Sequence, residues 1–336
     1  MTSACILGCA GTQLNADERS LFASAEPFGM ILFARNVEDP DQVRALVHDF
    51  RSIVGRTDAP VLIDQEGGRV QRLRPPHWPD FPPAEVFGKL YEQDRAVGIE
   101  AVRLGALLIA GELAALGINV DCLPVADLRH PDGHGIIGDR AYGADPDMVA
   151  TLGGAAADGL VEGGVLPVMK HIPGHGRARA DSHEALPVVE TPLSELDRTD
   201  FESFRRLAHL PVAMTAHVVY TALDAERPAT VSPVVVAETI RGRIGFDGLL
   251  LTDDLSMKAL AGTLGNRTEA SLAAGCEVAL HCNGRIDEMR EVVAASPRLA
   301  GEAARRAGAA LGRLKSPGKT LNTAEARERF SAMIGA

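Results

Sequence analysis

A short segment near the middle of the 336-residue chain concentrates side chains that can carry protons or contact polar ligands. It contains Lys170, His171 and His175 within the sequence KHIPGHG, and Asp181 and His183 follow closely. Because glycine and proline favour turns, these titratable groups are expected in one loop. An apolar run precedes the segment, so the loop begins where a buried strand leaves the core, which is where active sites collect in α/β folds. The segment is therefore predicted to be an active-site loop.

Asp181 and His183 are spaced to act as a pair. In an extended loop, residues i and i+2 project to the same side, and a nearby carboxylate orients an imidazole and raises its pKa. Such a histidine can donate a proton near neutral pH, as a general acid does. A zinc or iron site that also includes His171 and His175 is an alternative. It is disfavoured because a proline and a glycine separate those two histidines, which therefore do not share a helix face. A polar surface loop without chemistry is the remaining alternative.

A second candidate for chemistry lies at the end of another apolar run. Residues 248–251 are followed by Thr252 and by the adjacent carboxylates of Asp253 and Asp254. Neighbouring side chains in a strand point to opposite sides, so only one of the two carboxylates can face the interior of the fold. Asp253 is the candidate for the reacting group, and Asp254 is interpreted as a cap of the following helix.

Short apolar runs alternate along the chain with segments of helical patterning. The predicted strands are 4–9, 28–33, 60–63, 118–123, 164–169, 210–216, 248–251 and 277–282. The predicted helices are 16–25, 40–54, 96–116, 146–162, 193–208, 233–244 and 267–274. This alternation predicts the α/β class and a single (β/α)8 barrel of the TIM type over residues 1–336, with a C-terminal helical segment at about 300–336. A doubly wound sheet is the alternative.

The barrel hypothesis places polar residues at one end of the molecule, because catalytic groups in such barrels lie beyond the carboxyl ends of the strands. Polar residues do follow the third to eighth predicted strands, namely Asp64, Gln65, Glu66, Asp127, Lys170, His171, His217, Asp253, Asp254 and Asn283. The proline-dense stretch 75–83 comes shortly after the third strand. It is interpreted as a rigid rim loop, or as a surface connection without a role.

Composition excludes several classes of protein. The chain has 45 acidic and 34 basic residues and no lysine- or arginine-rich run, so a nucleic-acid partner is not expected. Its apolar stretches are too short to span a membrane. Residues 6–9 resemble a lipoprotein processing site, but a basic n-region and an apolar h-region are missing before Cys9. Five cysteines form no CxxC pair and are predicted to be buried free thiols. These features predict a cytoplasmic monomer without a membrane partner.

Three long motifs and two shorter ones resemble the signatures of a known enzyme family. They are the segment 170–183, TDDLSM at 252–257, DQEGGRVQR at 64–72, MILFARN at 30–36 and IGDR at 137–140. In this order they resemble the single-domain β-N-acetylglucosaminidases of glycoside hydrolase family 3. The resemblance extends over about residues 5–283 and weakens beyond residue 285.

The resemblance implies a role for each matching residue. Asp253 would be the nucleophile that forms a covalent glycosyl-enzyme, His183 the general acid/base, and Asp181 its orienting partner. The residues that would hold the N-acetylglucosamine hydroxyls are Asp64, Arg72, Arg140, Lys170 and His171. No metal and no cofactor is implied. The implied substrates carry N-acetylglucosamine linked β-1,4 to anhydro-N-acetylmuramic acid, with or without a peptide, as in cytosolic fragments of cell-wall recycling.

Retaining glycosidases ordinarily use two carboxylates, and larger members of the family take the acid from a second domain. A 336-residue chain devoted to one barrel leaves little room for that domain, and the His–Asp pair would replace it. The basic segment 177–180 could influence affinity for carboxylates of a muropeptide. The alternatives are a phosphorylase, substrate assistance by the 2-acetamido group, a metal-dependent hydrolase, and a sugar-binding barrel without activity.

Overall fold

Eight parallel strands close into a barrel in the computed structural model, which describes residues 2–182, 185–314 and 323–335. The barrel strands are β1 (Ser3–Leu7), β2 (Pro27–Leu32), β3 (Val61–Ile63), β4 (Val120–Asp121), β5 (Leu166–Ile172), β6 (Val212–Thr215), β7 (Leu249–Asp254) and β8 (Val278–His281). Each strand pairs with the next along the chain, and β8 pairs with β1. The predicted (β/α)8 barrel is confirmed, and the alternative of a doubly wound sheet is wrong.

Helices surround the barrel. They are α1 (Ala16–Ala25), α2 (Pro40–Val54), α3 (Ala84–Gln93), α4 (Arg95–Ala115), α5 (Pro146–Glu162), α6 (Leu193–Arg198), α7 (Asp200–Arg206), α8 (Leu264–Ala274), α9 (Ile286–Ala295), α10 (Gly301–Leu311), α11 (Thr323–Ile334) and a π-helix (Val235–Arg243). The bounds of α2 and α5 were predicted correctly because each begins at a proline that follows a capping aspartate. Asp39 accepts a hydrogen bond from the Gln42 amide, and Asp145 accepts one from the Met148 amide, both at 2.9 Å.

Some predicted helices differ from the structure. The predicted helix 193–208 is divided into α6 and α7 at Thr199, whose backbone leaves the helical region with φ −119° and ψ −88°. The next side chain, Asp200, is buried and accepts a 2.7 Å hydrogen bond from Arg177 in the loop after β5. This tertiary contact accompanies the break and is invisible to local patterning. Helices α3 and α9 were not predicted.

The predicted ends of two strands were wrong. Lys170 and His171 were expected beyond the fifth strand, and Asp253 beyond the seventh, but β5 continues to Ile172 and β7 to Asp254. The strands continue because these polar side chains find partners inside the barrel mouth, where burial without partners would be costly. Lys170, His171 and Asp253 therefore lie on hydrogen-bonded barrel strands, which hold these residues more rigidly than a loop would.

Two short ribbons lie outside the barrel. Strands Gln65–Gly67 and Val70–Gln71 form an antiparallel hairpin after β3, and Val188–Val189 pairs in parallel with Val219–Tyr220. The first ribbon returns the chain toward the barrel mouth. The second attaches the loop that follows β5 to the loop that follows β6.

Helix α10 covers the amino-terminal end of the barrel. Its buried residues Ala307 and Ala310 belong to the apolar cluster that fills the barrel with side chains such as Ile6, Phe28 and Leu249. The barrel is therefore a packed core that opens only at its carboxyl end.

Helix α11 packs on α3 and α4. The ring of Phe330 lies 6.1 Å from that of Phe81 and 6.2 Å from that of Phe87, and it approaches Gly105 so closely that a Cβ there would lie 2.8 Å away. Within the described ranges, no helix is long and apolar enough to cross a membrane. The five cysteines are buried free thiols, as predicted.

Candidate active site

A cavity opens at the carboxyl end of the barrel. Its lining includes six predicted site residues, namely Asp64, Arg72, Arg140, Lys170, His171 and Asp253, together with His175, Ser182, Met214, Met257 and Cys282. Strands β5 and β7 and the segments that follow β3 and β4 thus bring together predicted site residues that are up to 189 positions apart in the sequence, from Asp64 to Asp253. The packed barrel core closes the floor of this cavity.

Lys170 is the centre of a buried charge network. Its Nζ lies 2.8 Å from Asp64 Oδ1 and 2.6 Å from Glu66 Oε1, and only 2% of the lysine is exposed. Arg72 donates to Asp64 Oδ2 at 3.0 Å, and Arg140 donates two 2.8 Å hydrogen bonds to the Glu66 carboxylate. These pairs fix all five side chains at the barrel mouth with mostly charge-assisted hydrogen bonds.

The network keeps both carboxylates ionised. Burial alone would raise the pKa of Asp64, but Lys170 and Arg72 lower it below its ordinary value. Burial would likewise raise the pKa of Glu66, but Arg140 and Lys170 lower it to about 2. Ionised oxygens at this position are strong acceptors for the hydroxyl groups of a polar ligand.

The hairpin that carries Arg72 is supported by the proline-dense stretch 75–83. Gly68, at a φ of 57°, donates its amide to the Phe81 carbonyl at 2.7 Å. The Gln71 side chain donates to the Pro79 carbonyl at 2.8 Å and accepts from the Phe81 amide at 3.0 Å. Pro79 and Phe81 of this stretch therefore bond to the hairpin, and a role of the stretch as a rigid rim loop stays a prediction.

Replacing Lys170 with methionine is expected to lower the free energy of unfolding by roughly 3–5 kcal/mol at pH 7, because two buried carboxylates lose their shared cation. The two carboxyl groups have lowered pKa values in the folded protein, so their stabilising effect is present above the ordinary carboxyl range and is lost as the pH falls toward about 2. The difference between wild type and Lys170→Met should therefore shrink in acid. Denaturant unfolding across a pH series measures it.

A surface ion pair supplies the matched control. Lys89 lies 3.0 Å from Glu85, and 63% of the lysine side chain is exposed. Lys89→Met should change the free energy of unfolding by less than about 1 kcal/mol. Equal effects of the two substitutions, or a Lys170→Met deficit that grows in acid, would show that the buried network does not stabilise the fold in this way.

His171 is oriented by a buried carboxylate. Its Nδ1 lies 2.7 Å from Oδ2 of Asp127, a fully buried residue that also accepts the His175 amide at 2.6 Å. Burial would raise the pKa of Asp127, but His171 lowers it below its ordinary value. With Nδ1 engaged, Nε2 is the ring nitrogen of His171 that remains for a ligand in the cavity.

His175 is a neutral member of the cavity wall. Burial, and then the neighbouring His171, lower the pKa of His175 to about 4, and the two ring centroids are 5.7 Å apart in an edge-on arrangement. Its Nδ1 is buried and has no hydrogen-bond partner among the described residues. A neutral imidazole at this place does not compete with Lys170 for the carboxylates.

Asp253 presents an ionised carboxylate to the cavity. It is 8% exposed at the end of β7, and its Oδ1 accepts the amide of Asp254 at 2.8 Å. Burial would raise the pKa of Asp253, but His171 and His217 lower it below its ordinary value. A carboxylate that stays ionised in a confined polar cavity has the protonation state that a nucleophile needs.

Asp254 serves the backbone instead. Its Oδ1 accepts the amides of Ser256 at 3.0 Å and Cys282 at 3.1 Å, and its Oδ2 accepts the Ser256 hydroxyl at 2.6 Å. The interpretation of Asp254 as a structural carboxylate agrees with these contacts, but its assignment as the cap of the next helix was wrong. That helix, α8, is capped by Thr263, and Asp254 stabilises the turn that ends β7.

The loop after β5 brings Asp181 and Ser182 to the same end of the barrel. Ser182 lies between the two residues of the predicted Asp–His pair and lines the cavity, and its carbonyl accepts the Ala259 amide at 3.1 Å. The carbonyl of Asp181 accepts the Ala185 amide at 2.9 Å. His183 lies outside the described residues, so its role stays a prediction.

Arg177 anchors the base of that loop. Its guanidinium bonds the buried carboxylate of Asp200 at 2.7 Å and lies 2.9 Å from Glu195. Tyr220 donates its hydroxyl to the Gly174 carbonyl close by. The Arg177 charge is therefore paired with carboxylates of the protein itself. Within the basic segment 177–180, only Arg179 remains as an exposed cation.

Comparison with known proteins identifies the family. Residues 6–306 match the profile of the glycosyl hydrolase family 3 N-terminal domain. The chain belongs to glycoside hydrolase family 3. A curated β-hexosaminidase from Pseudomonas aeruginosa is 40% identical over 288 residues, which cover 85% of this chain and 84% of that protein. A β-hexosaminidase from Alkalilimnicola ehrlichii is 39% identical over 285 residues, covering 83% and 80%.

Solved structures of family 3 members have the same fold. NagZ from Neisseria gonorrhoeae, in complex with N-trifluoroacetyl-D-glucosamine, superposes with a TM-score of 0.89 at 30% identity and covers 100% of this chain and 99% of its own. A family 3 β-N-acetylglucosaminidase from Paenibacillus has a TM-score of 0.86 at 31% identity, covering 98% and 66%. This family 3 chain is thus a glycoside hydrolase that acts as a β-N-acetylhexosaminidase, as the sequence motifs indicated.

Two residues that bind side chains of the candidate site were not assigned from the sequence. Glu66 and Asp127 were noted only as polar residues after strands, yet Glu66 binds Lys170 and Arg140, and Asp127 orients His171. The signal was present, since both are carboxylates at strand ends of an α/β barrel. Their partners could not be inferred because they come from distant parts of the chain, β5 for Lys170 and His171 and a short 3-10 helix for Arg140.

Among residues 2–182, 185–314 and 323–335, no three His, Cys, Asp or Glu side chains form a group that could hold a metal ion. The absence of a metal requirement stays a prediction, and the experiment below tests it.

Proposed function

We propose that this β-N-acetylhexosaminidase removes terminal N-acetylglucosamine, with retention of configuration, from anhydro-N-acetylmuramic acid fragments that carry it in β-1,4 linkage, with or without a peptide. The observation that carries the proposal is the ionised Asp253 in a cavity with a closed floor, facing a network of charged hydroxyl-binding groups. The likeness to NagZ, crystallised with an N-acylated glucosamine, supports the sugar assigned to this cavity.

The reaction would proceed in two displacements at the anomeric carbon. In the first, a carboxylate oxygen of Asp253 forms an ester bond to that carbon while the bond to the leaving oxygen breaks, and His183 gives its proton to that oxygen. In the second, water loses a proton to His183 and attacks the same carbon, and the ester bond to Asp253 breaks. Asp181 would stabilise the imidazolium that donates the proton in the first step and that forms again in the second.

The charge network would hold the sugar. Lys170 carries three N–H donors and uses two of them on Asp64 and Glu66, so one remains for a hydroxyl of the ligand. Asp64 would accept from hydroxyl groups, and Arg72, Arg140 and His171 would donate to sugar oxygens. Such charge-assisted bonds fix the orientation of the ring against Asp253 and so favour attack. The cytoplasmic location of this reaction is part of the proposal.

The purified protein should release N-acetylglucosamine from the synthetic disaccharide N-acetylglucosaminyl-β-1,4-anhydro-N-acetylmuramic acid. The free sugar should form as the β-anomer first, at a rate that exhaustive chelation leaves unchanged because no step uses a metal. Proton NMR of the early products measures both the anomer and the rate. Formation of N-acetylglucosamine 1-phosphate in phosphate buffer would show a phosphorylase instead.

Two further outcomes would contradict the proposal. Loss of activity on chelation that zinc restores would favour the metal-dependent alternative. A much higher kcat/KM for chitobiose than for the anhydro-muramyl disaccharide would place the physiological substrate outside cell-wall fragments.

A further inference from the structure

His217 is a buried histidine beside the reacting group for which the mechanism above has no use. It follows β6 and is fully buried. Its Nδ1 lies 2.7 Å from the Thr230 hydroxyl, and its Nε2 lies 3.0 Å from the backbone carbonyl of Asp254. Both ring nitrogens are thus bound to protein groups, one of them on the strand that carries Asp253.

The partners fix the tautomer of His217. A carbonyl oxygen only accepts, so Nε2 carries a hydrogen and donates it to Asp254. Burial lowers the pKa of His217 below its ordinary value, so the ring is neutral at pH 7 and Nδ1 accepts the Thr230 hydrogen at 2.7 Å. The Ala216 carbonyl, 3.1 Å from the Thr230 oxygen, is the competing acceptor for that hydrogen. The Thr230 oxygen in turn lies 2.8 Å from the Thr215 hydroxyl, which can donate to it. This chain of hydrogen bonds holds the ring in one orientation.

The backbone of Asp254 is held at both ends. Its carbonyl accepts from His217, and its amide donates to Asp253 Oδ1 at 2.8 Å. With Oδ1 engaged in this bond, Oδ2 is the carboxylate oxygen left for attack. A shift of the Asp254 peptide would therefore rotate the carboxylate of Asp253 away from its target.

We propose that His217 is a positioning residue: together with Thr230 it fixes the Asp254 carbonyl, and through the Asp254 amide it orients Asp253 so that Oδ2 attacks the anomeric carbon. The proposal rests on the role of Asp253 in the proposed function.

Several charged or titratable groups act on the two residues. His171, Lys170 and His175 from β5 and its loop, Asp254 from β7 and Cys282 after β8 influence the carboxylate of Asp253. His217 is influenced by Asp253, Asp254 and His171. In acid, where His217 takes up a proton, its charge is among those that lower the pKa of Asp253, so its removal raises that pKa, and the acid limb of kcat/KM then moves to higher pH.

A matched pair of variants tests this proposal. His217→Leu removes both ring nitrogens, whereas His217→Gln keeps an N–H donor near the place of Nε2. With a nitrophenyl N-acetylglucosaminide, the leucine variant should form the covalent intermediate roughly a hundredfold more slowly, as expected for a misplaced reacting group, with little change in the Kd for N-acetylglucosamine. The acid limb should move to higher pH in both variants, because neither leucine nor glutamine can carry the positive charge of an imidazolium, and the glutamine variant should recover most of the rate. Rapid-quench kinetics and thermal melts are measured together.

Thr230→Val gives a second variant in case His217→Leu does not fold. It removes only the hydroxyl that orients Nδ1, so it should slow the same step in the same direction by a smaller factor, about tenfold. Folded leucine and valine variants with wild-type intermediate formation would overturn the proposal. So would equal losses in the leucine and glutamine variants with an unchanged acid limb, since a merely structural histidine would behave in that way.

Failure of the underlying function is distinguishable. If a mechanism-based label attaches to a residue other than Asp253 in the wild-type protein, the proposed nucleophile is wrong whatever the His217 variants do. If the label attaches to Asp253 and the His217 variants react normally, only the positioning role fails.

Discussion

Replacing Asp253 with asparagine is expected to reduce turnover by on the order of 10⁴-fold or more, the range seen when an enzyme loses its nucleophile. Asparagine preserves the acceptor for the Asp254 amide, so the strand stays in place and only the attacking carboxylate is lost. Steady-state kinetics with the anhydro-muramyl disaccharide measures the loss. A 5-fluoro N-acetylglucosaminyl fluoride, which slows hydrolysis of the intermediate, should leave a sugar ester that peptide mapping places on Asp253.

The neighbouring carboxylate is the matched control. Asp254 lies on the same strand as Asp253, and asparagine at this position keeps an oxygen for the amides of Ser256 and Cys282. The turnover rate of the Asp254→Asn variant should therefore fall by less than about tenfold. An adduct on Asp254 would reverse the assignment. No adduct with full activity would favour attack by the 2-acetamido group of the substrate.

His183→Ala is expected to slow hydrolysis of the natural disaccharide roughly a hundredfold to ten-thousandfold, the usual contribution of a general acid. A nitrophenol needs little protonation to leave, so bond breaking in a nitrophenyl glycoside should suffer much less. The covalent intermediate should then accumulate, because the attacking water still lacks its base. Stopped-flow release of nitrophenol, compared with steady-state turnover, separates the two steps.

Asp181→Asn tests the partner of that acid. The carboxylate favours the imidazolium form, so its removal should lower the pKa of the basic limb of the kcat/KM profile. Equal slowing of natural and nitrophenyl substrates by His183→Ala in the bond-breaking step would show that the histidine positions the substrate and does not protonate it.

The sequence predicted the barrel because its strands and helices can be recognised from short stretches of sequence. All eight runs that became barrel strands are apolar and short, and Asp39 before Pro40 marks the start of α2 through a cap that depends only on nearby residues. The motifs indicated the enzyme class because their residue types, and their order along the chain, resemble those of glycoside hydrolase family 3.

The remaining features depend on contacts between distant residues. Lys170 is charged, so local patterning ended the strand before it, but Asp64 directly after β3 and Glu66 on the following hairpin make its burial possible. Likewise, the break at Thr199 coincides with the contact between Asp200 and Arg177, and His217 gains its partners from Thr230 and Asp254. Each of these pairs joins parts of the chain that local propensity treats separately.

The closure of the barrel has a consequence for synthesis of the protein. Strand β1 pairs with β8 across more than 270 residues, from Cys5 to Ala279, and the amide of Leu299 donates to the carbonyl of Thr2 at 2.8 Å. Such distant contacts form slowly because a long loop must close first. While a ribosome is still making the chain, the first strands therefore have an open edge and an uncovered apolar end, and Asp253 cannot meet Asp64. A nascent chain that stops before α10 should need a chaperone, and catalytic competence should arise only after β8 and α10 have joined the barrel.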